Sequence, residues 1–257
     1  MLARVRSLEN RAARDKEKRF WIEGVRHFVQ ASDARLEFEA VVHSPVLLKS
    51  PLAQMLVRRL SAAGVPRWQV SPEQFRRVSA TRHASGIGAI VSQHWTSLRK
   101  ADVRQGLGWV VVESLRSPGN LGTMLRTAEA AGVTGIIFIG RQCDPFDPAV
   151  VRASMGGLFP LPLVRSTLQQ LSAWAAEREI TLVGLSPQAD RLWTDLPPDL
   201  GIGLVVGEER SGLSEQMREL CRLTVRLPMV GRADSLNVAV AAGVMMYELV
   251  RRSQSPT

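Results

Sequence analysis

Four apolar runs constrain this chain more than any other feature: "GWVVVESL" (108–115), "GIIFIG" (135–140), "ITLVGLSP" (180–187) and "GIGLVVGEE" (201–209). A strand with one wet face alternates apolar and polar residues. A strand apolar at nearly every position is covered on both faces. Between and after these runs lie stretches of helical texture, "NLGTMLRTAEAAG" (120–132), "STLQQLSAWAAERE" (166–179) and "LSEQMRELC" (213–221). A short strand, "TVRLPM" (224–229), precedes a final helix. Strand and helix in alternation predict a parallel sheet with helices on both faces, an α/β fold from Trp109 onward.

The residues before Trp109 read as a second, smaller α/β unit. Residues 2–20 are helical in pattern, and "FEAVVHS" (38–44), "RWQVS" (67–71) and "GIGAIVSQ" (86–93) are short strands. Two helices open on Ser-Pro, at Ser50 and Ser71, where a Ser cap and a Pro at the first helical position both favour a start. The expected organisation is a first domain over 1–97, a linker over 98–108 and a second domain over 109–257.

Charge divides along the same line. Residues 1–104 hold 19 Lys+Arg against 9 Asp+Glu, whereas residues 105–257 hold 14 against 15, so the first part carries all of the net +9. A basic part of this kind suits a polyanion, most simply nucleic acid. Residues 1–19 are charged, with no apolar segment behind Met1, which reads as no secretory leader. The longest apolar stretches fall short of the roughly 20 residues a bilayer needs, so no membrane span is expected. Cys143 and Cys221 form no framework and read as reduced thiols of a cytoplasmic protein.

Several chemistries lack their motifs. There is no GxxxxGK[ST] loop, no GxGxxG after a strand, and no HExxH or Cys/His cluster for a metal. Three polar clusters remain, each at a strand end of the second domain, where ligand sites gather in parallel sheets. In the first, Asn120 and Arg126 are either a helix cap and a solvated helix residue, or ligand-facing groups. In the second, Glu208 and Glu209 follow Gly207 and either receive donors from a ligand or favour the helix after them. In the third, Ser235 and Asn237 stand two apart at a helix start, where one would suffice as a cap. Asp234 beside them reads as a surface charge.

Together, "NLGTMLRTAEAAG", "VVGEERSGLS" and "LPMVGRADSLNVAVAAG" (227–243) resemble the three motifs of the SpoU (TrmH-like) family of RNA 2′-O-ribose methyltransferases, in the SPOUT class. The likeness spans about residues 105–250, and the third motif is its most specific part. "RFWIEGVRHFVQA" (19–31) and "SGIGAIV" (85–91) make the first domain similar to the substrate-binding domain often placed before this catalytic one, although "RHASG" departs from the family's usual text there.

The resemblance implies a parallel-sheet SPOUT domain with a C-terminal trefoil knot, preceded by a small α/β RNA substrate-binding domain. It implies S-adenosylmethionine as cofactor, with Gly207, Leu227 and Leu236 lining its site. Arg126 matches the arginine proposed to help activate the ribose 2′-hydroxyl, and Asn120, Glu209, Ser235 and Asn237 match the polar residues around it. It further implies a homodimer. A separate first domain makes ribosomal RNA the favoured substrate over transfer RNA. The alternatives are a tRNA 2′-O-methyltransferase, or an RNA-binding protein of this fold without activity. A dinucleotide-binding dehydrogenase is argued against by the missing glycine fingerprint.

Overall fold

Two sheets organise the chain in the computed structural model, which describes residues 1–101, 107–140, 143–196 and 201–254. They belong to separate compact units, one of Met1–Gln93 with Asp144–Phe159, the other of His94–Cys143 with Pro160–Thr257.

The first unit begins with α1 (Leu2–Ser7), α2 (Arg11–Glu17) and β1 (Arg19–Glu23). The expected single helix over 2–20 is thus broken. Asn10 caps α2 by accepting from Ala12 N, and Lys18, at φ 55°, turns the chain into a strand. There follow α3 (Val25–Asp33), β2 (Phe38–His43), α4 (Pro51–Ala62), β3 (Arg67–Gln69), α5 (Pro72–Arg76) and β4 (Ile87–Ser92). Both Ser-Pro starts behave as their chemistry dictates: Ser50 caps α4, and Ser71 forms a capping box with Gln74. The strand order is β1-β4-β2-β3, with β4 antiparallel to both neighbours and β3 parallel to β2. Leu8, Trp21, Val42, Phe75 and Ile90 pack one core of this unit.

The chain then runs through β5 (Trp109–Glu113), α6 (Pro118–Ala130) and β6 (Gly135–Ile139) before an excursion that carries α7 (Pro148–Ala153). Although sequence reading placed 109–257 in one domain, Asp144–Phe159 belongs with the first unit. Arg14, 1% exposed, explains the attachment: its Nε donates to Asp144 Oδ2 at 2.8 Å, and its Nη1 donates to the carbonyls of Leu8 and Glu9. A buried guanidinium needs such a set of acceptors. Of the expected linker 98–108, Leu98–Lys100 forms one 3-10 turn, and positions 102–106 lie outside the described residues.

The second unit continues with β7 (Leu163–Ser166), α8 (Leu168–Glu177), β8 (Thr181–Leu185), β9 (Arg191–Leu192), β10 (Ile202–Val206), α9 (Glu215–Leu220), β11 (Leu223–Arg226) and α10 (Val238–Gln254). Its strand order is β7-β6-β5-β10-β8-β11-β9, every pair parallel. The four apolar runs became β5, β6, β8 and β10, buried almost end to end. From β5 the sheet grows through β6 in one direction and through β10 in the other. Strand order therefore reverses between β5 and β10, and a crevice opens at their carboxyl ends.

Candidate active site

The crevice between β5 and β10 receives the loop entering α6 on one side and the turn after β10 on the other. Ser117 caps α6, its Oγ accepting from Asn120 N at 3.3 Å, with Pro118 at the first helical position. Asn120 is therefore not the cap, and its side chain is released for another purpose. Its Nδ2 donates to Glu209 Oε1 at 3.1 Å, and its Oδ1 accepts from Asn237 Nδ2 at 2.9 Å. Asn237 in turn caps α10, its Oδ1 accepting from Ala239 N at 3.0 Å and Val240 N at 3.4 Å.

The roles fix one another. A carboxylate only accepts, so Asn120 must offer it the NH₂. Asn120 Oδ1 must then accept, which leaves Asn237 Oδ1 for the helix amides. The final helix starts at Val238 and is capped by Asn237, so the start anticipated near Ser235 moves on by that much.

Glu209 is the anchor of this chain of bonds. Partial burial opposes its ionisation. Backbone N–H donors of Glu209, Ser117 and Arg116, together with the Asn120 amide, outweigh that and hold the carboxyl below the ordinary carboxylate range. Glu208 is engaged elsewhere, with Arg116 Nε at 3.0 Å and Ser211 Oγ at 2.5 Å.

Gly207 has a structural reason to be glycine. Glu208 and Gly212 exchange backbone hydrogen bonds of 3.0 Å, which folds the turn back on the strand end. A Cβ on Gly207 would stand 2.2 Å from Gly212 O. The close approach that the sequence suggested for a ligand is made by the chain's own backbone. Glu113, which sequence reading passed over, completes the frame. It accepts from Ser214 N at 2.9 Å and Ser214 Oγ at 2.6 Å, tying the end of β5 to the cap of α9. A carboxylate closing an apolar run was the available signal.

Leu227, Ser235 and Leu236 meet at a second place. They line a cavity of about 60 Å³ with Leu185, Ser186, Pro187, Met229 and Ala241. Among the described residues, no backbone–backbone hydrogen bond engages the chain from Leu227 to Leu236. Apolar side chains beside free peptide groups fit a ligand with a flat apolar ring and polar edges, as S-adenosylmethionine has. Gly207 is not among the lining residues, and neither Ser235 nor Arg126 joins the Asn120–Glu209–Asn237 chain. Arg126 is exposed on α6, and no carboxylate among the described residues pairs with it. Six residues separate it from Asn120, which sets it about 9 Å along the helix axis.

Comparison with known proteins identifies the family. The SpoU rRNA Methylase family matches residues 109–247, and an MRM3-like substrate binding domain matches residues 2–89. The chain is 32% identical over 95% of its length, and 87% of the relative's, to a 23S rRNA (uridine(2479)-2′-O)-methyltransferase of Streptomyces viridochromogenes. It is 29% identical to RlmP of Bacillus subtilis, a 23S rRNA (guanosine(2553)-2′-O)-methyltransferase, over 95% of this chain and 93% of that one. Among solved structures it superposes with a TM-score of 0.88 on the SpoU methyltransferase AviRb from Streptomyces viridochromogenes in complex with AdoMet, at 30% identity and 99% coverage of both chains. An AdoMet-bound rRNA methyltransferase from Sinorhizobium meliloti gives 0.90 at 27% identity, covering 99% of this chain and 95% of that one.

Proposed function

The chain belongs to the SpoU rRNA methylase family, and from that premise we propose that it transfers a methyl group from S-adenosylmethionine to a ribose 2′-hydroxyl of ribosomal RNA. The observation that carries the reading is the hydrogen-bonded chain Glu209–Asn120–Asn237, which draws all three motif segments to the β5/β10 crevice.

When bound, the cofactor supplies a sulfonium methyl that is already electrophilic. The protein must hold the hydroxyl oxygen in line and manage its proton. Arg126 offers a planar, multiply donating cation, which suits charge stabilisation or phosphate positioning better than proton abstraction. With no carboxylate partner among the described residues, it can meet a phosphate or stabilise the charge developing on the 2′-oxygen. Asn120, held between Glu209 and Asn237, offers a fixed polar wall to the ribose. Ser235 lies beside the cofactor cavity, where its hydroxyl is a further polar contact.

Leu227 and Leu236 would grip the cofactor's apolar parts, with the peptide groups of 227–236 binding its polar edges. Gly207 supports that site from behind by permitting the Glu208–Gly212 turn.

The trefoil knot belongs to the same reading. β11 lies between β8 and β9, so the 186–190 connection arches across the end of β11. The chain leaving β11 at Leu227 has to negotiate that arch to reach α10, which supports a threaded passage. A homodimer is supported by α10. Val240, Val244 and Tyr247 are 50%, 38% and 52% exposed on one helical face, an apolar stripe suited to a second copy. The expected cytoplasmic setting rests on the scarcity of cysteine, with Cys143 and Cys221 alone in the sequence, and no helix of the described residues is long and apolar enough to cross a membrane.

The test is methyl transfer from labelled S-adenosylmethionine to an unmodified 23S rRNA transcript, followed by alkaline hydrolysis. A labelled alkali-resistant dinucleotide is the expected product. Label confined to bases, or no label on any ribosomal RNA, would reject the reading.

A further inference from the structure

At the outer edge of the seven-stranded sheet, the 3-10 turn Leu98–Lys100, β7 and α8 enclose a cavity of about 720 Å³. Its lining includes Arg99, Arg165, Arg178, Gln170, Trp174 and Glu177. Three guanidinium groups thus face one carboxylate, and that carboxylate sits beside Arg178, Oε1 to Nε at 3.8 Å. The cations are partly set in place. The Arg165 guanidinium lies 3.9 Å over the Trp95 ring, and Arg178 Nη2 donates to the Arg99 carbonyl at 3.4 Å.

Trp174 is a lining residue as well. Trp174 is only 4% exposed, and among the described residues no acceptor meets its Nε1–H. Its ring is held edge-on by Trp109, with centroids 6.1 Å apart. The lining is rich in donors and poor in acceptors. Arginine forks match phosphate oxygens in particular, and a cavity of this size admits a nucleotide-sized group.

We propose that this cavity is a phosphate-docking subsite for a part of the RNA substrate away from the target nucleotide. The proposal rests on the reading of the chain as an enzyme acting on RNA. β7 lies two strands from β5, about 10 Å across the sheet. The cavity is therefore separate from the Asn120–Glu209–Asn237 chain, and its occupant positions the RNA without touching the reacting atoms.

Arg99 and Arg178 are exposed, so their replacement leaves the fold intact. The test compares wild type with Arg99→Ala, Arg178→Ala, the double variant and the corresponding Lys variants. The probe is an unmodified 23S rRNA transcript, with binding measured over a salt series and methyl transfer measured as kcat and KM. The double Ala variant is expected to raise the RNA KM about tenfold, with kcat and S-adenosylmethionine affinity unchanged. It should also flatten the plot of log affinity against log salt by about one to two units of slope. The Lys variants should restore the slope and only part of the affinity.

Unchanged KM and slope in the double variant would overturn the subsite. So would saturable binding of AMP or inorganic phosphate that the variants abolish while RNA affinity stays at the wild-type level, since the cavity would then serve a free phosphate compound. If wild type binds the transcript but transfers no methyl group, the catalytic reading fails. The salt-dependent binding comparison then still decides the subsite.

Discussion

Asn237 donates to Asn120 Oδ1 at 2.9 Å across 117 residues of chain, while its own Oδ1 caps the final helix. One side chain thus starts α10 and fixes the orientation of another side chain in the crevice. Replacing either asparagine by Ala is expected to lower kcat/KM for RNA about 10²-fold, the scale of losing a placed polar group at a reacting centre. The double variant should cost little more than either single change, because each breaks the same bond. Fully additive losses in a double-mutant cycle would show that the pair does not act as a unit.

Arg126 is tested by separating binding from chemistry. Arg126→Ala is expected to abolish methyl transfer while S-adenosylmethionine binding, measured calorimetrically, stays within about twofold of wild type. Arg126→Lys should recover only a minor part of the rate, since a point charge replaces a planar fork. Near-normal turnover in Arg126→Ala would remove this residue from the mechanism.

The two glycines of the turn after β10 should respond differently. Gly207→Ala places a Cβ 2.2 Å from Gly212 O, a backbone clash with no flexible side chain to yield. A loss of about 2–3 kcal/mol is expected, seen as a fall in melting temperature of about 4–10 °C. Gly212 has φ +68° and open space around its missing Cβ, so Gly212→Ala meets only left-handed strain of about 1 kcal/mol. Equal melting temperatures for the two variants would contradict this account of the turn.

Glu209 gives a pH dependence with a defined sign. Its carboxyl is held below the ordinary range of about 4.3, so the unfolded chain binds a proton more readily than the folded one. Its stabilising contribution is fully present above the unfolded value and is lost as pH falls through the lower, folded value. Urea midpoints of wild type and Glu209→Gln should differ by a constant amount from pH 8 down to about 5, and converge below about 4. A gap that widens as pH falls would mean that the carboxyl is raised instead.

Much of this fold was readable from local pattern. β5, β6, β8 and β10 are apolar at nearly every position because both faces are covered, and Ser50 and Ser71 announce their helices through the Ser-Pro signal. β1 was absorbed into a helical reading because the charges of residues 9–19 mask the change of period at Phe20. The attachment of Asp144–Phe159 to the first unit was not readable at all. It rests on contacts such as Arg14 with Asp144, 130 residues apart, and Phe20 with Phe146, and nothing in either neighbourhood names the other.

The candidate site divides in the same way. The three motif texts marked Asn120, Glu209 and Asn237 as polar groups at strand ends, but left capping and ligand contact open for each. Periodicity reflects which side of a residue meets water, so the sequence alone located β5, β6, β8 and β10 and the helices α6, α8, α9 and α10. Which strands become neighbours is a long-range matter of packing. Only the placement of β10 beside β5 brought Glu209 to Asn120 and turned three separate segments into one hydrogen-bonded chain.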